Sequence, residues 1–206
     1  GNVNVWYHYD LTKIPETSGE IPIEKPTVID FKRAVTLTVG KQQIVNKKEL
    51  TVKGIGKMTA SDYIFMNEQG ATLTNGVVIY NQGICNIKNG TFDGPGFTLM
   101  NTGSADMTIE NGNVINRNSP TGYALMAAGG GTKLTVKGGR IEAIQSIGGA
   151  NVTISGGTIL NDCKYYALYN QNGKTTITGG YFSGYPGMKD VYIADGTVAI
   201  QGGYFE

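Results

Sequence analysis

The chain has 206 residues, of which 31 are Gly and only 6 Pro, and Lys+Arg (17) nearly balances Asp+Glu (16) for a net charge of +1. High Gly with low Pro and no G-X-Y period excludes collagen and a disordered linker, and 12 Tyr and 6 Phe belong to a chain that folds. The charge balance gives no bulk electrostatic reason to bind nucleic acid or anionic lipid, and no apolar run approaches the roughly 18 residues of a membrane-spanning helix.

Residues 1–33 come first and carry no internal repeat. With Pro15, Pro22 and Pro26 they are expected to form a cap or an extended segment packing on the rest of the chain. His8, the only histidine, stands in Trp6-Tyr7-His8-Tyr9 and reads as a packing residue rather than a base or ligand.

A single pattern then recurs through residues 34–206. It appears as Leu50-Thr-Val-Lys-Gly-Ile, Ala71-Thr-Leu-Thr-Asn-Gly, Cys85-Asn-Ile-Lys-Asn-Gly and Met107-Thr-Ile-Glu-Asn-Gly. It continues as Leu134-Thr-Val-Lys-Gly-Gly, Val152-Thr-Ile-Ser-Gly-Gly, Thr175-Thr-Ile-Thr-Gly-Gly and Val198-Ala-Ile-Gln-Gly-Gly. Its central aliphatics (Val52, Leu73, Ile87, Ile109, Val136, Ile154, Ile177, Ile200) step by 21, 14, 22, 27, 18, 23 and 23 residues. A constant core with a variable step is what a solenoid with loop insertions produces.

Two places after each aliphatic stands Gly or Asn (Gly54, Asn75, Asn89, Asn111, Gly138, Gly156, Gly179, Gly202), the residues that enter the left-handed region most cheaply. A turn is therefore expected there. A second strand comes next, with Val78, Phe92, Val114, Ile141, Ile159, Phe182 and Phe205 pointing inward. A third strand precedes most motif copies: Tyr63-Ile-Phe-Met-Asn, Phe97-Thr-Leu-Met-Asn, Tyr123-Ala-Leu-Met-Ala, Tyr166-Ala-Leu-Tyr-Asn and Val191-Tyr-Ile-Ala-Asp. Asn67, Asn101 and Asn170 share one register on it, where stacked side chains satisfy buried backbone groups. Three short strands per coil predict an all-β fold, a right-handed parallel β-helix of about eight coils spaced about 4.8 Å apart.

The Val-Thr-Ile-Ser-Gly-Gly-Thr-Ile type of repeat resembles the right-handed parallel β-helix (pectin-lyase-like) domains of large bacterial surface proteins, many of them adhesin-like. That resemblance implies a secreted or cell-surface location and a module for adhesion or recognition of protein or glycan. It carries over no catalytic signature, because the same scaffold holds pectin-cleaving enzymes, tailspikes and inert stalks.

The outward faces divide the candidates. The first strand presents a polar wall of Thr51/Lys53, Thr108/Glu110, Thr135/Lys137 and Thr153/Ser155. The third presents Ile64/Met66, Thr98/Met100, Ala124/Met126, Ala167/Tyr169 and Tyr192/Ala194, an apolar stripe that soluble proteins rarely leave uncovered. Met66, Met100, Met126, Tyr169 and Tyr192 are therefore the expected binding residues. The occupant is a protein or glycan ligand, or the chain's own Trp6, Tyr7, Tyr9 and Phe31. Self-association, end to end or side by side, is a further expectation. As an alternative, cleavage of an acidic polysaccharide by a lyase or hydrolase needs paired carboxylates or a carboxylate with Arg. Asp93, Arg140 and Glu142 on the second strand are the nearest approach, with Asp93 and Glu142 two coils apart in one column and Arg117 after the intervening coil.

No cofactor or metal is expected. Cys85 and Cys163 lack CxxC spacing, and Asp62, Asp162 and Asp190 have no neighbouring carboxylates with which to hold calcium. Asn89-Gly-Thr91 and Asn151-Val-Thr153 match a glycosylation sequon, as a Thr-rich repeat does by chance.

Overall fold

A computed structural model describes residues 19–40, 42–60, 64–66, 72–74, 77–116, 123–161 and 165–206. The strands form three sheets of eight strands each and one two-stranded hairpin, and none of the described residues is helical. No helix among them is thus long and apolar enough to cross a membrane.

Sheet 1 contains the motif strands Thr27–Phe31, Glu49–Gly54, Ile84–Ile87, Asp106–Ile109, Lys133–Val136, Asn151–Ile154, Gly173–Ile177 and Gly196–Ile200. Sheet 2 contains Thr36–Gly40, Lys57–Ala60, Thr91–Gly94, Asn113–Asn116, Arg140–Glu142, Thr158–Leu160, Tyr181–Ser183 and Tyr204–Phe205. Sheet 3 contains Gly19–Ile23, Gln42–Asn46, Ile79–Asn81, Leu99–Thr102, Leu125–Ala128, Ile144–Ile147, Leu168–Gln171 and Val191–Ile193. The chain visits sheets 1, 2 and 3 in order and returns one strand further along, which makes a right-handed parallel β-solenoid of about seven coils. The expected all-β parallel helix is thus the observed fold, with a coil count close to the eight expected.

Alternation fixes which side chains form the core, because successive residues of a strand face opposite sides of the sheet. Sheet 1 sends in pairs such as Leu50/Val52, Met107/Ile109 and Leu134/Val136, and sheet 2 single residues such as Met58, Phe92, Ile141 and Phe182. Sheet 3 adds Ile44, Ile79, Leu99, Leu125, Ile144 and Leu168. Phe92 and Phe182 are fully buried, and truncating either to Ala would cost about 3–5 kcal/mol by the usual scale for core aromatics.

The Gly-Gly punctuation has two different causes. The left-handed residue is the second of each pair: Gly139 has φ +88° and Gly157 +90°, and the expected turn falls one place later than the sequence suggests. The first Gly answers to space. A Cβ on Gly138 would lie 2.5 Å from the Glu110 carbonyl oxygen of the coil below. At Gly54, which precedes Ile55, both demands meet, with φ +96° and a Cβ 2.1 Å from the Phe31 oxygen.

Two sequence assignments are corrected. The copy at Leu73 and the third strand at Ile64 are not in the solenoid sheets: Ile64–Met66 pairs antiparallel with Thr72–Thr74 as a separate hairpin. The anomalous 21- and 14-residue steps therefore belong to one coil that carries an insertion. Val78 precedes the sheet 3 strand Ile79–Asn81 rather than lying in sheet 2, where Met58 pairs with Phe92 instead.

The sheets also begin before residue 34. Gly19–Ile23 pairs with Gln42–Asn46, and Thr27–Phe31 with Glu49–Gly54. Phe31 is buried in the core, not folded over an outer face. Of the cap or extended segment expected over residues 1–33, residues 1–18, with Trp6, Tyr7, His8 and Tyr9, lie outside the described residues.

Candidate recognition face

Connections are uniform at one corner and variable at another. Between sheets 1 and 2 they are residues 88–90, 110–112, 137–139, 155–157, 178–180 and 201–203 in the last six coils. Between sheets 2 and 3 they range from Ala143 alone, through 95–98, 161–167 and 184–190, to 61–78 with its hairpin. Insertions in a solenoid collect on one side, which is often the side that binds. Here that side adjoins the outer face of sheet 3.

Register defines one outward column on that face. Tyr80 pairs with Met100, Met100 with Met126, Met126 with Gln145, Gln145 with Tyr169, and Tyr169 with Tyr192. Met100, Met126, Tyr169 and Tyr192 are thus brought together in one column whose neighbours stand one strand apart, about 4.8 Å. The side chain of Met66 lies outside the described residues, and below Met100 the column runs through Tyr80 to Val45 and Pro22.

The stripe is one residue wide, not two. Thr98, Ala124 and Ala167, expected to point outward, are fully buried at the corner, where Thr98 Oγ1 accepts the Gly94 N–H at 3.0 Å. Tyr192 stands opposite Tyr169 rather than Ala167. Met126 is itself buried at 9% exposure, as is Val45 at 1%, so from Tyr80 upward the accessible part of the column is Tyr80, Met100, Gln145, Tyr169 and Tyr192, each half-buried.

At its upper end the column becomes a tyrosine cluster. Tyr166 stacks on Tyr192 with ring centroids 4.4 Å apart and planes at 10°, and Tyr169 lies 5.8 Å from Tyr192 at 19°. Tyr123 leans against Tyr169 at 5.8 Å and 42°, offset or tilted pairings of the kind aromatic quadrupoles favour. Burial, with the neighbouring Tyr169, Tyr166 and Tyr165 phenols, holds the Tyr123 hydroxyl protonated well above its ordinary range. Lys189 Nζ sits 5.9 Å from the Tyr192 ring centroid, a cation–π contact. Tyr123 and Tyr166 stand in the sequence as the first letters of the third-strand pattern but belong to the corner. Tyr80 and Gln145 escape sequence reasoning because their strands lack that pattern.

Around the same corner lies a surface cavity of about 390 Å³ lined by Asn161, Ser183, Tyr185, Met188, Asp190 and Glu206, among others. Its wall is the 184–190 connection, shaped by a turn in which the Met188 N–H donates to the Tyr185 carbonyl at 2.7 Å. Pro186 and Gly187 (φ +87°) take the central positions, as a type II turn requires.

Of the alternative acidic-polysaccharide residues, Asp93 pairs with Ile115 and Glu142 follows Ile141, the partner of Val114, so the two carboxylates flank Ile115 in one column of sheet 2. Arg140 stands two residues back, opposite Asn113. Each carboxylate already has partners. Lys57 pairs with Asp93; Arg140 Nη1 donates to Glu142 Oε1 at 2.7 Å, and the Asn116 N–H to Oε2 at 2.9 Å. Arg117 lies outside the described residues, as do Asp62, Asp162 and Cys163. Among the described residues no three His, Cys, Asp or Glu side chains converge as metal ligands. Cys85 is fully buried in sheet 1, and burial pushes its thiol up to about 12.

Fold and face together define a right-handed parallel β-solenoid with an aromatic outer column beside its variable corner. Comparison with family models, curated proteins and solved structures finds no match to this chain.

Proposed function

We propose that this chain is a non-enzymatic recognition module, of the kind carried by secreted or cell-surface bacterial proteins, and that it binds a protein or glycan ligand on the outer face of sheet 3. The observation that carries this reading is the half-buried column from Tyr80 to Tyr192, widened by Tyr166 into a cluster next to the corner where insertions collect. Tyr offers a large, rigid, amphipathic contact area, and aromatics are enriched among the residues that carry binding energy. The resemblance of the repeat to pectin-lyase-like and adhesin-like domains points the same way. The commitment of Asp93 to Lys57 and of Glu142 to Arg140 weighs against cleavage of an acidic polysaccharide by these residues.

The test is a glycan and protein-ligand array run beside a reducing-end assay on polyuronates, comparing the native chain with a Tyr169→Ala/Tyr192→Ala variant. Ligand retention that falls at least tenfold in the variant, with no new reducing ends, is the expected result. Turnover of the polyuronate, or retention indifferent to both substitutions, would remove the reading.

A further inference from the structure

The tyrosine cluster and the corner cavity are two parts of one surface. Lys189 and Asp190 are consecutive: Lys189 reaches over the Tyr192 ring on sheet 3, and Asp190 lines the cavity. Tyr185, also in the lining, ties the same connection down through its N–H, which donates to the Tyr165 carbonyl at 3.0 Å. A ligand on the cluster therefore extends into the cavity without leaving the surface.

The chemistry of the cavity selects what that extension is. Its volume of about 390 Å³ lies toward the lower end of ligand pockets, enough for a short segment of a longer molecule. The lining combines an exposed aromatic ring (Tyr185) and an exposed thioether (Met188) with an amide, a hydroxyl and two carboxylates. Asp190 Oδ1 accepts the Gly184 N–H at 2.7 Å and Glu206 Oε2 accepts the Ser183 hydroxyl at 2.8 Å. An ionised carboxylate has about four acceptor positions, so these contacts use only part of the capacity. The Tyr181 and Ser183 hydroxyls hold the Glu206 carboxyl below the usual range, which keeps it an acceptor. Such a site favours a partner rich in hydroxyl donors with an apolar ring face for Tyr185, and its two carboxylates repel an anionic one.

Resting on the recognition reading above, we propose that the ligand is a neutral, hydroxyl-rich carbohydrate, held along the Tyr166–Tyr169–Tyr192 cluster with one end in the cavity of Asn161, Ser183, Tyr185, Asp190 and Glu206.

The experiment is a titration of the full chain with neutral hexose oligosaccharides from a glycan array and, separately, with oligogalacturonate. Tyr185→Ala and Glu206→Gln change exposed side chains and leave the core intact; Thr153→Ala, on the exposed outer face of sheet 1, is the control. The expected result is binding of a neutral oligosaccharide that weakens at least tenfold in each cavity variant and less than threefold in the control. Binding lost in Tyr169→Ala/Tyr192→Ala but unchanged in both cavity variants overturns the cavity and leaves the recognition face standing. Binding of oligogalacturonate alone, or of proteins but no neutral glycan, overturns the inference.

Discussion

The side-chain amide of Asn46 donates to Oδ1 of Asn81 at 2.7 Å, although 35 residues separate them in the chain. The Asn81 amide in turn donates to Asn101 Oδ1 at 2.8 Å, so three fully buried asparagines form a ladder along the solenoid axis at the corner after sheet 3. Ala127 and Ser146 interrupt the column, and Asn170 resumes it. There its amide reaches the Gly173 and Asp195 carbonyls, so each buried amide secures the turn that leads back to sheet 1.

Asn81 is the middle rung. It also donates to the carbonyls of Gly83 and Asp106 and accepts the Gly83 N–H. Asn81→Ala would leave several buried groups without partners at about 1–3 kcal/mol each, so a loss of about 3 kcal/mol or more is expected in urea denaturation. Asn81→Asp keeps the shape but turns an acceptor toward three acceptors and should cost as much. A loss under about 1 kcal/mol for both would mean that the ladder does not hold the turn.

Glycines offer an internal comparison between strain and space. Gly139 has φ +88°, and a Cβ there would stand 2.4 Å from the Gly112 oxygen; Gly103 has φ +67° with nothing within 4 Å. Alanine at Gly103 incurs only the left-handed penalty, about 1–2 kcal/mol. Alanine at Gly139 adds a backbone collision that the stacked coils cannot relieve by side-chain motion. Gly139→Ala should therefore destabilise by at least about 2 kcal/mol more than Gly103→Ala, a gap of the size that overpacking produces. Equal midpoints in thermal or urea unfolding would show that the coils move apart freely.

Seven of the eight strands of sheet 1 are legible in the sequence because each carries an inward aliphatic flanked by outward residues and followed two places later by Gly or Asn. Leu73 carries the same local pattern but pairs with Phe65 in the hairpin, since alternation records a strand without recording its partner. Ile29 escapes notice because its strand runs Thr-Val-Ile-Asp-Phe with no Gly after it. Of the candidate face, Met100, Met126, Tyr169 and Tyr192 are legible from alternation. The burial of Met126, the stacking of Tyr166 on Tyr192 and the corner cavity are not. The stacking and the cavity depend on connections between sheets 2 and 3, whose length varies from coil to coil.

The buried thiol of Cys85 gives the stability of the solenoid a pH dependence of known sign. It stands inward in sheet 1 between Leu50 and Met107, and burial raises it from 9.0 to about 12. Because the folded value is the higher, the contribution is complete below pH 9 and is lost as the pH rises from 9 toward 12: the unfolded chain releases the proton while the folded chain keeps it. At about 1.4 kcal/mol per pH unit, the loss reaches roughly 3 kcal/mol by pH 11. Cys85→Val fills nearly the same space without a titrating group. Every other titrating group is common to both proteins, and a Cys163→Ala background removes the other thiol. Urea midpoints that lie close together at pH 8.5 should therefore diverge by pH 11, with Cys85→Val losing about 3 kcal/mol less than its parent. Parallel losses in the two proteins would mean that the thiol ionises in the folded chain as easily as in the unfolded one, and that the coil around Cys85 opens to water.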